Sequence, residues 1–241
     1  MAKFKQCPEL KVMRDPVHGY IHVRYQVIWD LINAPEFQRL RRIHQLGGTF
    51  QVYHGAEHSR FSHSVGVYEV ARLMLEWVEG LQTLSEFEQV AVLCAALLHD
   101  IGHGPYSHSF ESVSLTNHEE FTDRIILEDT HIHRILKEAD PKLPNFVADI
   151  IAHRSENKLL TQMISSQLDA DRMDYLLRDS YFTGVSYGEF DLYRILRTLR
   201  VVDGKLAVKE SGIHAVEDYI MARYQMYWQV YQLVHRNSQT I

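Results

Sequence analysis

Cysteine is scarce. The 241 residues hold two, Cys7 and Cys94. Cys94 lies inside an apolar run, so a disulfide between them is disfavoured, and a cysteine-rich zinc site is excluded. That usage fits a reducing cytoplasm. Long hydrophobic runs are also missing. The nine apolar residues Val90–Leu98 fall well short of the roughly 20 that a membrane-spanning helix needs. No basic–apolar–small pattern opens the chain, so it does not read as carrying a signal peptide. There is no Gly-rich Walker-type loop, which argues against an ordinary P-loop nucleotidase. Positive charge is not in excess: 25 Lys and Arg stand against 31 Asp and Glu, a net charge of −6. Broad nucleic-acid binding is therefore not expected. Internal repeats, low-complexity tracts and a clear linker are absent too. The economical reading is a single mainly α domain over residues 1–241 with two small β-ribbons.

Histidine, by contrast, is abundant. There are 15, and seven of them lie between residues 54 and 118: His54, His58, His63, His99, His103, His108 and His118. Such a concentration suits metal binding or proton transfer. At its centre, Val90–Leu98 runs straight into His99-Asp100. Glu86–Leu98 reads as a helix apolar on every face and so buried all round, with Ser85 and Glu88 as a capping box. Burying an imidazole and a carboxylate at its end is costly unless they are paired or hold a metal. Taken alone, the pair is most simply an ordinary helix end. Gly102 and Gly104 then break the helix and would leave room for a phosphate.

The rest of the chain gives that pair company. Leu10–Val23 reads as a hairpin or extended arm, with turn signals at Asp15-Pro16 and His18-Gly19. Gln26–Ile32 reads as a short helix. A further helix starts at Pro35, carries Phe37, Leu40 and Ile43 on one face, and ends at Gly47-Gly48. Its Arg39, Arg41 and Arg42 are either a solvated face or phosphate contacts. Ser64–Glu79 reads as a helix with His63 at its edge. Asn117 is placed to cap a helix beginning at His118, and two more helical patterns over 131–160 break near Asp140-Pro141 and Pro144. Over Gln162–Asp179, Ile164, Leu168, Asp171 and Tyr175 share one helical face, so Asp171 replaces an apolar residue on an inward stripe. An internal pair with Arg would satisfy it, and so would a metal. Asp169 and Asp174 flank the stripe, solvated or salt-bridged. Val201–Leu206 reads as a hairpin turning at Asp203-Gly204. Glu217–Val234 reads as a final amphipathic helix, its Tyr and Met stripe serving core or subunit interface. His63, His99, Asp100 and Asp171 together make a mixed N/O set suited to Zn, Mn, Fe, Co or Ni more than to Mg alone.

This set resembles the His…His-Asp…Asp signature of the HD-domain phosphohydrolases. The surrounding segments narrow the likeness: Asp15-Pro16-Val17-His18-Gly19, Phe37-Gln38-Arg39-Leu40-Arg41, Gln45-Leu46-Gly47-Gly48, Arg60-Phe61-Ser62-His63-Ser64, His99 through His108, and Asp169-Ala170-Asp171-Arg172-Met173-Asp174-Tyr175. They follow in the order seen in deoxynucleoside triphosphate triphosphohydrolases, closest to the branch of the sterile-alpha-motif-linked enzyme and its bacterial relatives. The likeness runs from about Leu10 to Tyr231.

The resemblance implies an HD-domain helical bundle with small β-hairpins, an N-terminal β arm over about residues 1–24 and a metal-binding core over about 50–180. It implies hydrolysis of dNTP to deoxynucleoside and inorganic triphosphate. By the same likeness His63, His99, Asp100 and Asp171 hold a divalent transition metal, with Mg accompanying the phosphates. Arg60 and Arg172 contact phosphates, His103 lies beside them, Gln45, Leu46, Tyr175 and Asp179 face the sugar, and His108 protonates the leaving oxygen, supported by Glu111 and His118. Arg14, Asn33, Gln38 and Arg41 match an effector site for a dNTP or GTP in a homo-oligomer, dimer or tetramer. Asn33 stands where an Asp reads guanine, and an amide both donates and accepts where the carboxylate only accepts. The resemblance implies continuation past Tyr231 with a Tyr-x-His-Lys run and a further C-terminal region; here Gln232-Leu233-Val234-His235-Arg236 follows, so the chain reads as C-terminally short: a fragment, a truncated version or a diverged tail. Two other readings stay open: another HD-type nucleotide phosphohydrolase, or a nucleotide-binding regulator with little activity. Neither a membrane nor a nucleic acid is expected as a partner.

Overall fold

The structure, a computed structural model, describes residues 4–106 and 115–232. It is mainly α, with two small antiparallel strand pairs, as the sequence predicts. The chain opens on β1 (Gln6–Asp15) and β2 (Gly19–Tyr25), in register from Lys11 opposite Val23 to Asp15 opposite Gly19. Asp15 builds the turn: its Oδ1 accepts the N–H groups of Val17 and His18, both at 2.9 Å. Alternation along β2 buries Ile21 and Val23.

Helix α1 (Gln26–Asn33) follows, then α2 (Pro35–Gln38). The helix expected to reach Gly47-Gly48 stops early. A 3₁₀ turn covers Arg39–Arg42, and Ile43 is extended. Backbone pairing competes with helix there: Arg60 N–H donates to Ile43 O at 2.8 Å and Gln45 N–H to His58 O at 2.9 Å. Phe37, Leu40 and Ile43 still reach the core. Arg39 is not solvated, since it donates to the carbonyls of Ile101 and His103.

Helix α3 (Arg60–Trp77) starts four residues before the expected Ser64, because Ser59 caps it. His63 therefore sits within the first turn. Helix α4 (Glu86–Leu98) has its predicted bounds and both halves of the Ser85/Glu88 capping box, and Val90–Leu98 is wholly buried. It packs between α3 and an outer group of short helices: α5 (His118–Leu127), capped by Asn117, α6 (His131–Ala139), α7 (Leu143–Ile151) and α8 (Lys158–Ile164). Pro144 falls in the first turn of α7, where no N–H is needed, instead of breaking it.

The helix predicted over Gln162–Asp179 is two helices. Helix α8 ends at Ile164, and α9 (Ala170–Thr183) begins after five intervening residues. Asp169 causes the break: its carboxylate takes the N–H groups of Ser166 and Arg172, both at 2.6 Å, and caps α9. Ile164 and Asp171 thus belong to different helices. Helix α9 packs along α3. After α10 (Leu192–Thr198) come β3 (Leu199–Val202) and β4 (Lys205–Val208), joined through Asp203 and Gly204 at φ +50° and +71°, the left-handed pair a tight hairpin turn requires.

Helix α11 (Ile213–Met226) continues into a π turn over Tyr227–Tyr231. Ala215, Tyr219, Ala222, Met226 and Val230 face inward, while Ile213, Ile220, Met221, Tyr224, Tyr227 and Trp228 are exposed on the opposite face. Among the described residues, no helix is long and apolar enough to cross a membrane.

Candidate metal centre

Three helix ends converge on one point. His63 comes from the first turn of α3, His99 is the residue that closes α4, and Asp171 is the second residue of α9. Each imidazole is fixed through Nδ1. His63 Nδ1 donates to Asp174 Oδ2 at 2.8 Å, and His99 Nδ1 to Ala96 O at 2.9 Å. A carbonyl can only accept, so His99 carries its hydrogen on Nδ1 and keeps a lone pair on Nε2. Both Nε2 atoms are buried and make no hydrogen bond among the described residues.

Both face Asp171 Oδ1, at 3.1 Å from His63 and 3.6 Å from His99. Asp100 brings Oδ2 to 3.7 Å from His63 Nε2 and Oδ1 to 3.6 Å from His99 Nε2. Donors sharing one ion at ~2.1 Å stand roughly 3–3.5 Å apart. The spacing, the two bare lone pairs and the flanking carboxylates fit a divalent metal.

Burial alone would drive these imidazoles neutral and these carboxyls protonated; their mutual charges reverse both. Burial lowers the His63 pKa, but Asp171 and Asp174 push it up to about 10. His99 is also raised, as Asp100 and Asp171 outweigh its burial. Burial opposes ionisation of Asp171, yet the two imidazoles hold it below the usual carboxylate range. Asp100 is likewise held low, against its burial, chiefly by Arg60 and His99.

Beside the cluster, Arg60 is ion-paired to Asp100 Oδ2. His103 Nε2 lies 3.3 Å from Asp100 Oδ1, and its ring stacks on that of His118 at 3.9 Å. Burial takes the His103 pKa down to about 4, so this ring is neutral near pH 7. Asp100, His103 and His118 form a second convergent group. Gly102 does not leave room for a phosphate: a Cβ there would lie 2.1 Å from His118 O and 2.5 Å from Thr122 N, because the start of α5 fills that space.

The remaining predicted residues divide. Gln45 has a buried Oε1 without a hydrogen-bond partner among the described residues, and Leu46 is half-buried next to it. Tyr175 is half-buried, 6.3 Å from the Tyr231 ring and tilted across it. Asp179 is committed elsewhere, accepting from His58 Nε2 at 2.7 Å and Tyr231 Oη at 2.8 Å. Arg172 folds back onto Asp169 and the Ser166 carbonyl. Gln38 and Arg41 are joined at 2.8 Å, with Arg41 over the Phe61 ring; Asn33 donates to Trp29 O, and Arg14 lies over Tyr20. His108 and Glu111 lie outside the described residues.

What the sequence did not reveal is the layer behind His63. Asp174, expected only to flank a stripe, is wholly buried and takes four hydrogen bonds, from His18 Nε2 (2.6 Å), His63 Nδ1 (2.8 Å) and Arg178 Nε and Nη2 (both 2.9 Å). Arg178 also grips Asp15 at 2.9 and 3.2 Å. Burial opposes ionisation of Asp174, but Arg178 and the two imidazoles hold its pKa well below the carboxylate range. Asp174 and Arg178 are spaced i and i+4 on one helix, which is the available signal for a pair. Nothing in the local sequence joins them to residues 15 and 18.

Metal-ready imidazoles at the ends of α3 and α4, closed by an aspartate from α9, define an HD-type metal centre. The chain belongs to the HD superfamily of phosphohydrolases: residues 60–179 match the HD domain family, and residues 190–239 match the HD associated region. It is 58% identical over 224 residues to protein YwfO of Bacillus subtilis, covering 92% of this chain and 52% of that one. A phosphohydrolase from Bacteroides thetaiotaomicron superposes with a TM-score of 0.84 at 37% identity, covering 92% of this chain and 54% of that one. The deoxynucleoside triphosphate triphosphohydrolase SAMHD1 homolog of Dictyostelium discoideum is 32% identical over 239 residues, covering 92% and 46%. The chain thus spans about half the length of these relatives.

Proposed function

We propose that this chain binds a divalent transition metal through His63, His99, Asp100 and Asp171 and hydrolyses deoxynucleoside triphosphates to deoxynucleoside and inorganic triphosphate. The observation that carries the reading is the pair of buried Nε2 atoms, without hydrogen bonds among the described residues, that face Asp171 beside Arg60. Similarity to the triphosphohydrolases supports the substrate class. When bound, the ion neutralises phosphate charge and lowers the pKa of water.

The chain's own residues supply the rest. Arg60, already held against Asp100, presents a guanidinium suited to phosphate oxygens. In the overall reaction, water oxygen joins the α-phosphorus, the P–O5′ bond breaks and O5′ gains a proton. Neutral His103, stacked on His118, suits hydrogen bonding there more than proton donation at neutral pH. The donor role falls to His108 with Glu111 and His118. Gln45 Oε1 can accept from a sugar hydroxyl. The exposed stripe on α11 supports assembly into a dimer or tetramer, and Gln38 with Arg41 supports a nucleotide effector nearby.

The test is a product assay. Each dNTP is incubated with the metal-loaded protein and the products are separated by anion exchange. Triphosphate and nucleoside support the reading. Orthophosphate or pyrophosphate would assign another HD phosphohydrolase, and binding without turnover would assign a regulator. His99→Ala and Asp171→Ala are expected to lose both metal and activity. Normal metal occupancy in either variant would refute the ligand assignment.

A further inference from the structure

The tip of the N-terminal hairpin is tied to the metal centre by a closed ring of buried polar contacts. Asp15 Oδ1 accepts the N–H groups of Val17 and His18, which fixes where the His18 side chain departs. His18 Nε2 donates to Asp174 Oδ1 at 2.6 Å, with a side chain only 3% exposed. Asp174 Oδ2 takes the Nδ1 hydrogen of His63. Arg178 closes the ring by gripping both Asp174 and Asp15. Among the described residues, His18 makes no other side-chain hydrogen bond. The ring crosses the hairpin, α3 and α9, and α3 admits it only at Gly66, where a Cβ would lie 1.9 Å from Asp174 Oδ1.

The Asp174 carboxylate is held from three sides. Arg178 holds one edge, His63 draws on Oδ2 and His18 on Oδ1. Without His18, Oδ1 keeps only Arg178, and the carboxylate is free to tilt toward the guanidinium and away from His63. The His63 ring then loses its fixed orientation, and with it the aim of Nε2. We propose that His18 is a positioning residue for the metal centre, acting through Asp174 to set the orientation of His63. This deepens the metal-centre reading and rests on it.

Partners one step behind a metal ligand change metal affinity by roughly 10–100-fold, so removing the donor one step further out is expected to cost about tenfold. The experiment compares wild type, His18→Leu and His18→Gln, measuring Co²⁺ affinity by chelator competition and the visible absorption of the Co²⁺ form. Leu removes the donor. The Gln amide nitrogen reaches the position of imidazole Nε2 and restores it. Expected are weaker Co²⁺ binding and a shifted band in His18→Leu, with both recovered in His18→Gln. If His18→Leu melts too low to assay, His18→Asn, whose amide falls short of Asp174, takes its place. Unchanged affinity and spectrum in the donor-lacking variant overturn the proposal. So does a His18→Gln as impaired as the Leu variant, since that would make ring packing the cause. A wild type that binds no Co²⁺ overturns the metal reading and this proposal together; a wild type that binds it while His18→Leu matches it overturns this proposal alone.

Discussion

Gly66→Ala should damage this protein far more than a single methyl usually does. Gly66 lies in α3, three residues after His63, against α9. A Cβ placed there would stand 1.9 Å from Asp174 Oδ1, 2.6 Å from Asp174 Cγ and 2.4 Å from Arg178 Nη2. A carbon normally rests ~3.5 Å from such atoms, so about 1.5 Å must be found. Neither neighbour can give way alone, because both are wholly buried and hydrogen-bonded on several sides. Either α9 moves off α3 or the ion pair opens. Overpacking costs about 1–3 kcal/mol, and breaking a buried pair about 3–5 kcal/mol. Replacing a helical glycine by alanine returns about 1 kcal/mol. With α9 locked in place by the same contacts, the ion pair is what opens, and the net expectation is a loss of about 2–4 kcal/mol, or roughly 5–15 °C in melting temperature for a chain of this size. Metal affinity should fall too, as Asp174 no longer orients His63. Gly48→Ala is the control: its Cβ would meet nothing within 4 Å. Thermal melts in chelator, with Co²⁺ titration alongside, decide the matter. A Gly66→Ala protein that melts within a degree of wild type and binds Co²⁺ equally well would refute the packing argument and the role given to Asp174.

Asp174→Asn keeps the shape but puts a nitrogen where one of its two oxygens accepts, and it should lower metal affinity by about 10–100-fold; competition titration checks this, and wild-type affinity counts against it. The pH dependence should run in opposite directions with and without metal. In the metal-free protein His63 is raised to about 10, so its contribution to stability is full below the unfolded value near 6.5 and is lost as pH rises through about 10. An ion needs Nε2 unprotonated, so metal affinity should instead rise with pH over that window; melts and titrations between pH 6 and 9.5 would show parallel trends if this is wrong. Stripping a tightly held metal should lower the melting temperature, since ligand at a thousandfold its Kd contributes about 4 kcal/mol; a melt insensitive to chelator and to added Co²⁺ would contradict the centre.

The parts of the fold that were legible have short-range causes. The Ser85/Glu88 box, the Asn117 cap and the Asp203-Gly204 turn each depend on residues within a few positions of one another. Where the reading failed, another interaction outcompeted the periodicity. The helix from Pro35 stops short because Ile43 and Gln45 pair with Arg60 and His58 across the His44–Ser59 bridge. The pattern over Gln162–Asp179 looked continuous because Asp169 was read as a flank rather than a cap, although Ser165-Ser166 and Asp169 mark a boundary. The ligand candidate Asp171 reaches the cluster by a different route from the one its spacing suggests: it enters from a helix start, not along an inward stripe. The layer behind the ligands was illegible because it joins residues 15 and 18 to residues 174 and 178, and no local pattern carries a contact across that separation.

The charges around the cluster suit a bound cation. Asp100 pairs with Arg60, Asp15 and Asp174 pair with Arg178, and Asp171 faces the two imidazoles, so four carboxylates stand against two guanidinium groups. With neutral imidazoles that leaves two uncompensated negative charges in a largely buried space, an arrangement that is costly unless cations are supplied. Without metal, a proton on His63, whose pKa is pushed up to about 10 against burial, offsets part of that charge, and the same carboxylates raise His99. A divalent cation bound to two neutral imidazoles would balance it. The fold therefore holds the centre at a negative charge that a proton on His63 offsets in part and one divalent ion would balance, and exchange between the two links metal affinity to pH.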